Sequence, residues 1–439
     1  MYRIRHAFLA ILLSSVGTGA LAWSDHASLL WPLVRAMPEL TAPSLRAESL
    51  QAFVDSEAVG LQALLAEHEA YARDSLPDYA ARPDALAFRA DAGDRRDAFL
   101  RAIRVNPELG YRLYRQETVD DAQPAGNAPT LRFSDLSFLK TGSSHREVLY
   151  LRLEPGALVA PAHVIASGSD EPDFGIDIGL FEDNGTAFGR EYGFGTQPFG
   201  NPNLDYGSQA PFHMGFYHLD WLTRTAQPDL LRTMPAWRVS LFGALSEFAF
   251  ESGHDYWGWR FAGWALHYVG DLTQPYHAEP LPGIGTIEAL WAVVRGETDA
   301  AVQLVSNRHG VLESYQFHRV SARLAMHAWQ DPILAAIASA GPVPEFSERT
   351  MREVLSLESV AGGDAVDAAL EANVPARFVS DSTFEWTGSG EEAGIVETVR
   401  RENGEGAVAA LDAMVAEQMR RFSRFARAWI NQAMARAAK

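Results

Sequence analysis

Between positions 267 and 277 the chain reads His-Tyr-Val-Gly-Asp-Leu-Thr-Gln-Pro-Tyr-His, and no other segment restricts the fold as much. The residues before it, Asp255 to Asp271, include Trp257, Trp259, Phe261 and Trp264. A helix of that composition is apolar round most of its circumference and belongs inside a core. On it, His267 and Asp271 are four residues apart and project from one face. Two donors one turn apart are a standard way to hold a metal ion. Pro275 stops the helix, because it lacks an N–H and restricts the residue before it. The chain can then turn and return His277 to the same pocket. His309 and Glu313 repeat the four-residue spacing downstream. Such a pair alone is common on surface helices, and His267 and Asp271 also read separately as a hydrogen-bonded core histidine and a helix-terminal charge.

The N-terminus adds a third piece. Arg3 and Arg5, the apolar run Ala7 to Val16, and Gly19-Ala20-Leu21-Ala22 form the pattern of a cleaved secretion signal, residues 1–22. The apolar run is too short for a comfortable membrane span. Cleavage would free the α-amino group of Trp23, three residues before His26. An unprotonated amine and its neighbouring carbonyl can chelate a metal, provided binding displaces a proton whose pKa lies near 8. The formal charge of −19 opposes a large nucleic-acid footprint, since phosphate backbones are bound by clustered Lys and Arg. Cysteine is absent, so an exported destination brings no disulfides.

Helical periodicity covers Leu29–Met37, Ala58–Ala72, Arg95–Val105, Leu230–Glu251, Asp255–Asp271, Thr286–Val294, Gly310–Ile337 with a break near Asp331-Pro332, Met351–Leu357, Gly363–Ala372 and Gly406–Ala437. Val148–Leu153 reads as a strand and Gln123–Thr130 as a break. Gly168–Pro211, dense in Gly, Pro, Asp and Asn, reads as a long loop with little regular structure. The expected fold class is all-α with a minor, loop-rich β element.

Together, the central segment, the downstream His309 and Glu313, and Trp23 with His26 resemble the zinc-dependent phospholipase C and S1/P1 nuclease superfamily. The resemblance implies that family's multi-helix fold as one catalytic domain over 23–439. Insertions would lie at about 40–163 and 171–210, with a helical C-terminal extension. It also implies three zinc ions. Trp23 and His26 would hold one, with Asp271 bridging to a neighbour. His267 and Asp271 would hold that neighbour with an upstream Asp and His. His277, His309 and Glu313 would hold the last. Asp170, ending a run of small residues, is the expected upstream Asp, with Asp173 as runner-up. His213, in an aromatic context, is the expected His, with His218 as competitor. Two departures stand out: Asp170 and His213 are separated by the long loop, and His26 lies unusually near Trp23.

The implied activity is hydrolysis of a phosphodiester by a secreted or periplasmic enzyme, with Asp170 as zinc ligand, general base for the attacking water, or both. Phospholipase C is favoured over a single-strand nuclease or 3'-nucleotidase. Ala278 follows the last His of the motif, Thr273 stands where the nuclease form has a further His, and the charge disfavours a polynucleotide. The implied partner is a phospholipid, with nucleic acid only under the nuclease reading. The apolar stretch Leu281–Val294 between ligands is a candidate for transient membrane-surface contact, or alternatively a buried core helix. A metal-stabilised binding protein without catalysis is the reading from a different class.

Overall fold

The computed structural model describes residues 25–121, 129–139, 148–200, 206–285, 291, 295–339 and 341–438. It is mostly helical, 62% helix against 3% strand. Helix α1 (His26–Arg35) is followed by α2 (Leu50–Ser56), α3 (Ala58–Ser75), α4 (Arg95–Ala102) and α5 (Pro161–Asp170). The short α6 (Ala187–Glu191), α7 (Ala210–His213) and α8 (Trp221–Ala226) lead to α9 (Pro235–Glu251), α10 (Asp255–Asp271) and α11 (Pro275–Ala278). Next come α12 (Thr298–Ala325), α13 (Pro332–Ile337), α14 (Ser356–Ala361), α15 (Gly363–Asn373), α16 (Ala376–Val379), α17 (Ile395–Asn403) and α18 (Glu405–Ala437). Two small antiparallel sheets complete the chain. β1 (Leu45–Arg46) pairs with β5 (Leu158–Val159); β4 (Tyr150–Arg152) lies between β2 (Tyr114–Gln116) and β3 (Thr130–Leu131).

Helix α10 is the axis of the molecule. Every residue from Tyr256 to Asp271 is buried, as expected of a helix apolar on all sides. It is packed by α5, α9 and α18, and α1 lies across α5. Two glycines set the closest crossing. A Cβ at Gly263 would stand 2.7 Å from the Ile165 carbonyl, and one at Gly168 would stand 3.0 Å from the Arg260 carbonyl. Their absence lets the backbones of α5 and α10 touch, which brings the end of α5 alongside His267. On the other flank, α18 is tied to α10 by Trp429 Nε1 donating to the Ala262 carbonyl at 2.9 Å. A fully buried side chain such as Phe261 contributes roughly 1.5–3 kcal/mol to such packing.

The observed elements differ from the periodicity in instructive places. The helix expected from Gly310 begins at Thr298, because a polar first half still packs on one side. It ends at Ala325, and Asp331 caps the separate α13 by accepting from Ile333 N. The first residues of the expected loop Gly168–Pro211 belong to α5, followed by a 3₁₀ turn at Glu171–Phe174 and the short α6. Within 40–163, Phe53, Leu61 and Phe99 pack into the same core as α10. Of the stretch Leu281–Val294, residues 286–290 and 292–294 lie outside the described residues, as do the secretion signal and Trp23.

Candidate metal centre

Six segments converge at the C-terminal end of α10. His267 and Asp271 come from α10 itself, with His267 Nε2 3.3 Å from Asp271 Oδ2. The other ring nitrogen of His267 donates to the Ser169 carbonyl at 2.7 Å, so Nε2 is the atom turned to the pocket. His26, the first residue of α1, places Nε2 3.1 Å from Asp271 Oδ1. It is held there by the turn before it, where Asp25 caps α1 by accepting from Ser28 N at 3.0 Å. His213 ends α7 and puts Nδ1 3.1 Å from Asp271 Oδ2 and 3.0 Å from His267 Nε2. Asp173, on the 3₁₀ turn after α5, lies 3.8 Å from both His213 and His267.

A neighbouring group forms where α11 meets α12. Gln274 and Pro275 turn the chain after α10, and His277 donates through Nδ1 to the His213 carbonyl at 3.1 Å. Its Nε2 faces His309 Nε2 at 3.1 Å, and His309 Nε2 is 2.7 Å from Glu313 Oε1. Gln274 Nε2 donates to the same Glu313 oxygen at 3.1 Å, and Tyr276 stacks on His309. Three sets of donor atoms, each within 4.8 Å of one another, result: His26, His267 and Asp271; Asp173, His213 and His267; and His277, His309 and Glu313.

The electrostatics are those of a site built round positive charge. Burial alone raises a carboxyl's pKa, but the imidazoles of His267, His213 and His26 outweigh it and hold Asp271 well below the usual carboxylate range. Burial opposes a proton on His213, yet Asp177 and Asp271 raise it to about 10. Burial pushes Glu313 up to about 8 and His309 down to about 3. Asp170 is raised well above its ordinary value, first by burial and then by the neighbouring Asp25 carboxylate.

Of the residues singled out in the sequence, His26, His213, His267, Asp271, His277, His309 and Glu313 are brought together. Trp23 lies outside the described residues. Asp170 stands behind the pocket wall, accepting from Ala27 N at 3.1 Å and Gln116 Nε2 at 2.6 Å. It is Asp173, the runner-up, that reaches His213 and His267, because the 3₁₀ turn continues the curve of α5 by one step. His218 points elsewhere, 2.9 Å from the Arg352 carbonyl and 2.8 Å from Ser356 Oγ. Sequence reasoning missed Asp177, which is fully buried and lies 3.5 Å from His213 Nε2. Its one signal was an acid set between Ile176 and Ile178, both buried.

The donor set fits a divalent ion. Four ligands at about 2.0–2.1 Å from a tetrahedral zinc lie roughly 3.3 Å apart, and the nitrogen and oxygen atoms here are spaced between 2.7 and 3.8 Å. Neither oxygen of Asp271 accepts a hydrogen bond from a described residue: the imidazoles approach within reach but without hydrogen-bond alignment. A buried carboxylate left so costs several kcal/mol unless a cation joins it; in a metal-free pocket the raised His213 imidazole is that cation, and a divalent ion would take its place. Comparison of the chain with protein-family models, curated proteins and solved structures finds no match.

Proposed function

We propose that the chain is an exported, zinc-dependent phosphodiester hydrolase that acts as a phospholipase C, releasing diacylglycerol and a phosphorylated head group. One observation carries this reading: the buried carboxylate of Asp271, without aligned hydrogen-bond donors among the described residues, faces three imidazoles from three separate segments. Trp23 and His26 would hold one zinc with Asp271; His213, His267, Asp271 and Asp173 a second; His277, His309 and Glu313 a third. When bound, zinc supplies charge that acidifies water toward a pKa of ~7 and stabilises the phosphate oxygens. The chain's own residues do the rest. Asp173, the carboxylate that faces His213 and His267, would be the base, taking the proton of the attacking water and passing it to the ester oxygen as that leaves; Asp170 braces the wall behind it by accepting from Ala27 N and Gln116. Gln274 orients Glu313, and the Ser169 and His213 carbonyls fix the rings of His267 and His277.

Lipid is favoured over polynucleotide by the formal charge of −19, by Thr273 in the motif, and by Trp291, which is 55% exposed beside the segment tethered to His277. Among the described residues no helix is long and apolar enough to cross a membrane. The deciding experiment measures zinc content and side-by-side hydrolysis of phosphatidylcholine and single-stranded DNA by the protein purified without its first 22 residues. Three zinc ions and turnover of the lipid are expected. Turnover of DNA alone moves the function to a nuclease, and bound zinc with neither activity makes the chain a metal-stabilised binding protein.

A further inference from the structure

The rings of His267 and His277 follow one rule. Each spends Nδ1 on a backbone carbonyl, Ser169 for the first and His213 for the second, and turns Nε2 into the pocket. His213 is reversed. Its Nδ1 is the atom within 3.0–3.1 Å of His267 and Asp271, and its Nε2 points away. That Nε2 is buried and meets no hydrogen-bond acceptor of good geometry among the described residues; what it faces is Asp177 Oδ2 at 3.5 Å. Asp177 is itself held from two sides. Arg238 Nη2 donates to its Oδ1 at 2.5 Å, and Tyr268 donates to its Oδ2 at 2.5 Å. Arg238 is anchored in turn by the Ile103 and Arg104 carbonyls at 3.0 and 2.8 Å.

A histidine can bind metal only through a nitrogen that carries no proton, and the partner of the other nitrogen decides which one that is. We propose that Asp177 is the positioning residue for His213: it holds the ring proton on Nε2 and so commits Nδ1 to the metal. The inference rests on the metal reading of the site. It assigns a role to an acid buried on the far side of the ring from the pocket. Contacts of this kind are often long before ligands bind and shorten afterwards.

The test compares zinc affinity, by competition with a chelator, in the parental protein, Asp177→Asn and Asp412→Asn. Asp412 is the matched control, since it also takes a tyrosine hydroxyl (Tyr315, 2.9 Å) and an arginine (Arg319 Nε, 2.7 Å) but belongs to none of the three donor sets. Asp177→Asn should weaken one zinc by 10–100-fold while Asp412→Asn binds as the parent does. Equal affinity of Asp177→Asn and parent, or an equal loss in both variants, overturns the assignment. Should Asp177→Asn fail to fold, the nitrogen-15 imidazole spectrum of the zinc-loaded parent decides. One ring protonated at Nε2 and ligated through Nδ1 supports the proposal, and its absence overturns it. A parent that holds no zinc fails the metal reading itself, a result separable from either of these.

Discussion

Asp25 and Asp271 are both buried acids near His26, and the structure gives them opposite work. Asp25 sits at φ 63° and caps α1, a task an asparagine performs as well, because Asn tolerates left-handed backbone and accepts the same hydrogen bond. Asp271 has no such neutral substitute, since three imidazoles converge on its charge. Asp271→Asn is therefore expected to lose at least one zinc and a hundredfold or more in rate, while Asp25→Asn stays within about 0.5 kcal/mol of the parent and keeps its zinc. Metal analysis and initial rates on a chromogenic phosphodiester check this, and equal behaviour of the two variants refutes the bridging role. At this scale the helical spacing made most of the candidate donors legible. His267 with Asp271 and His309 with Glu313 had to share faces once the helices formed. The choice between Asp170 and Asp173 was not legible, because it depends on whether the last turn of α5 tightens, and periodicity is blind to that. Asp177 escaped for a similar reason: its partners Arg238 and Tyr268 are 61 and 91 residues away in sequence.

The crossing of α5 and α10 decides how far His267 stands from the 3₁₀ turn that carries Asp173. Gly263→Ala puts a methyl 2.7 Å from the Ile165 carbonyl, and backbone cannot yield as a side chain would. A loss of about 1–3 kcal/mol is expected, accompanied by weaker zinc binding as the helices part; the thermal midpoint and a zinc titration measure both. An unchanged midpoint would mean that the crossing has slack. Trp291 gives the contrary case. Exposed, with the Arg295 guanidinium 5.8 Å from its ring, it has little to lose among the described residues on truncation. Trp291→Ser should leave the midpoint and the rate on a short soluble phosphodiester unchanged while vesicle hydrolysis falls severalfold, since burying such a side chain in lipid contributes roughly 1.5–3 kcal/mol. Equal rates on vesicles would remove the segment from any interfacial role. The long helices α3, α9, α10 and α18 were readable from apolar spacing. The start of α12 was not, because its sequence is polar enough to pass for an exposed turn until the partner helix is known; α17 was overlooked although Ile395, Val396 and Val399 stand at helical spacing and are buried.

Away from the donor sets, folding traps His68 and His163 in their neutral form. His68 on α3 is buried against Ser240, 3.1 Å from its hydroxyl, and burial lowers its pKa to about 4; burial does the same to His163. The unfolded chain takes up these protons near pH 6.5. Between pH 6.5 and 4 the unfolded state therefore holds more protons, and stability falls as pH falls through that window while being fully present above it. The loss attributable to His68 is on the order of 1–3 kcal/mol by pH 4. The thermal midpoint of His68→Gln should accordingly drop less between pH 7 and 4.5 than that of the parent; parallel slopes would show that the ring does not titrate with folding. Such acid sensitivity is set by the core and is separate from the chemistry of the pocket.

The carbonyl of His213 receives the Nδ1 proton of His277, and the carbonyl of His277 receives the amide of Gly215 at 2.7 Å. A candidate ligand of one donor set, His277, is thus stitched to His213 of the next and to Gly215 just beyond it, and the first two sets meet at His267. If the sets hold zinc, filling one position should draw the others toward their occupied geometry, so that the ions enter as a correlated group. Added zinc should accordingly yield a steep uptake curve with few half-filled molecules, and a mutation at one set should loosen the ions held by the rest.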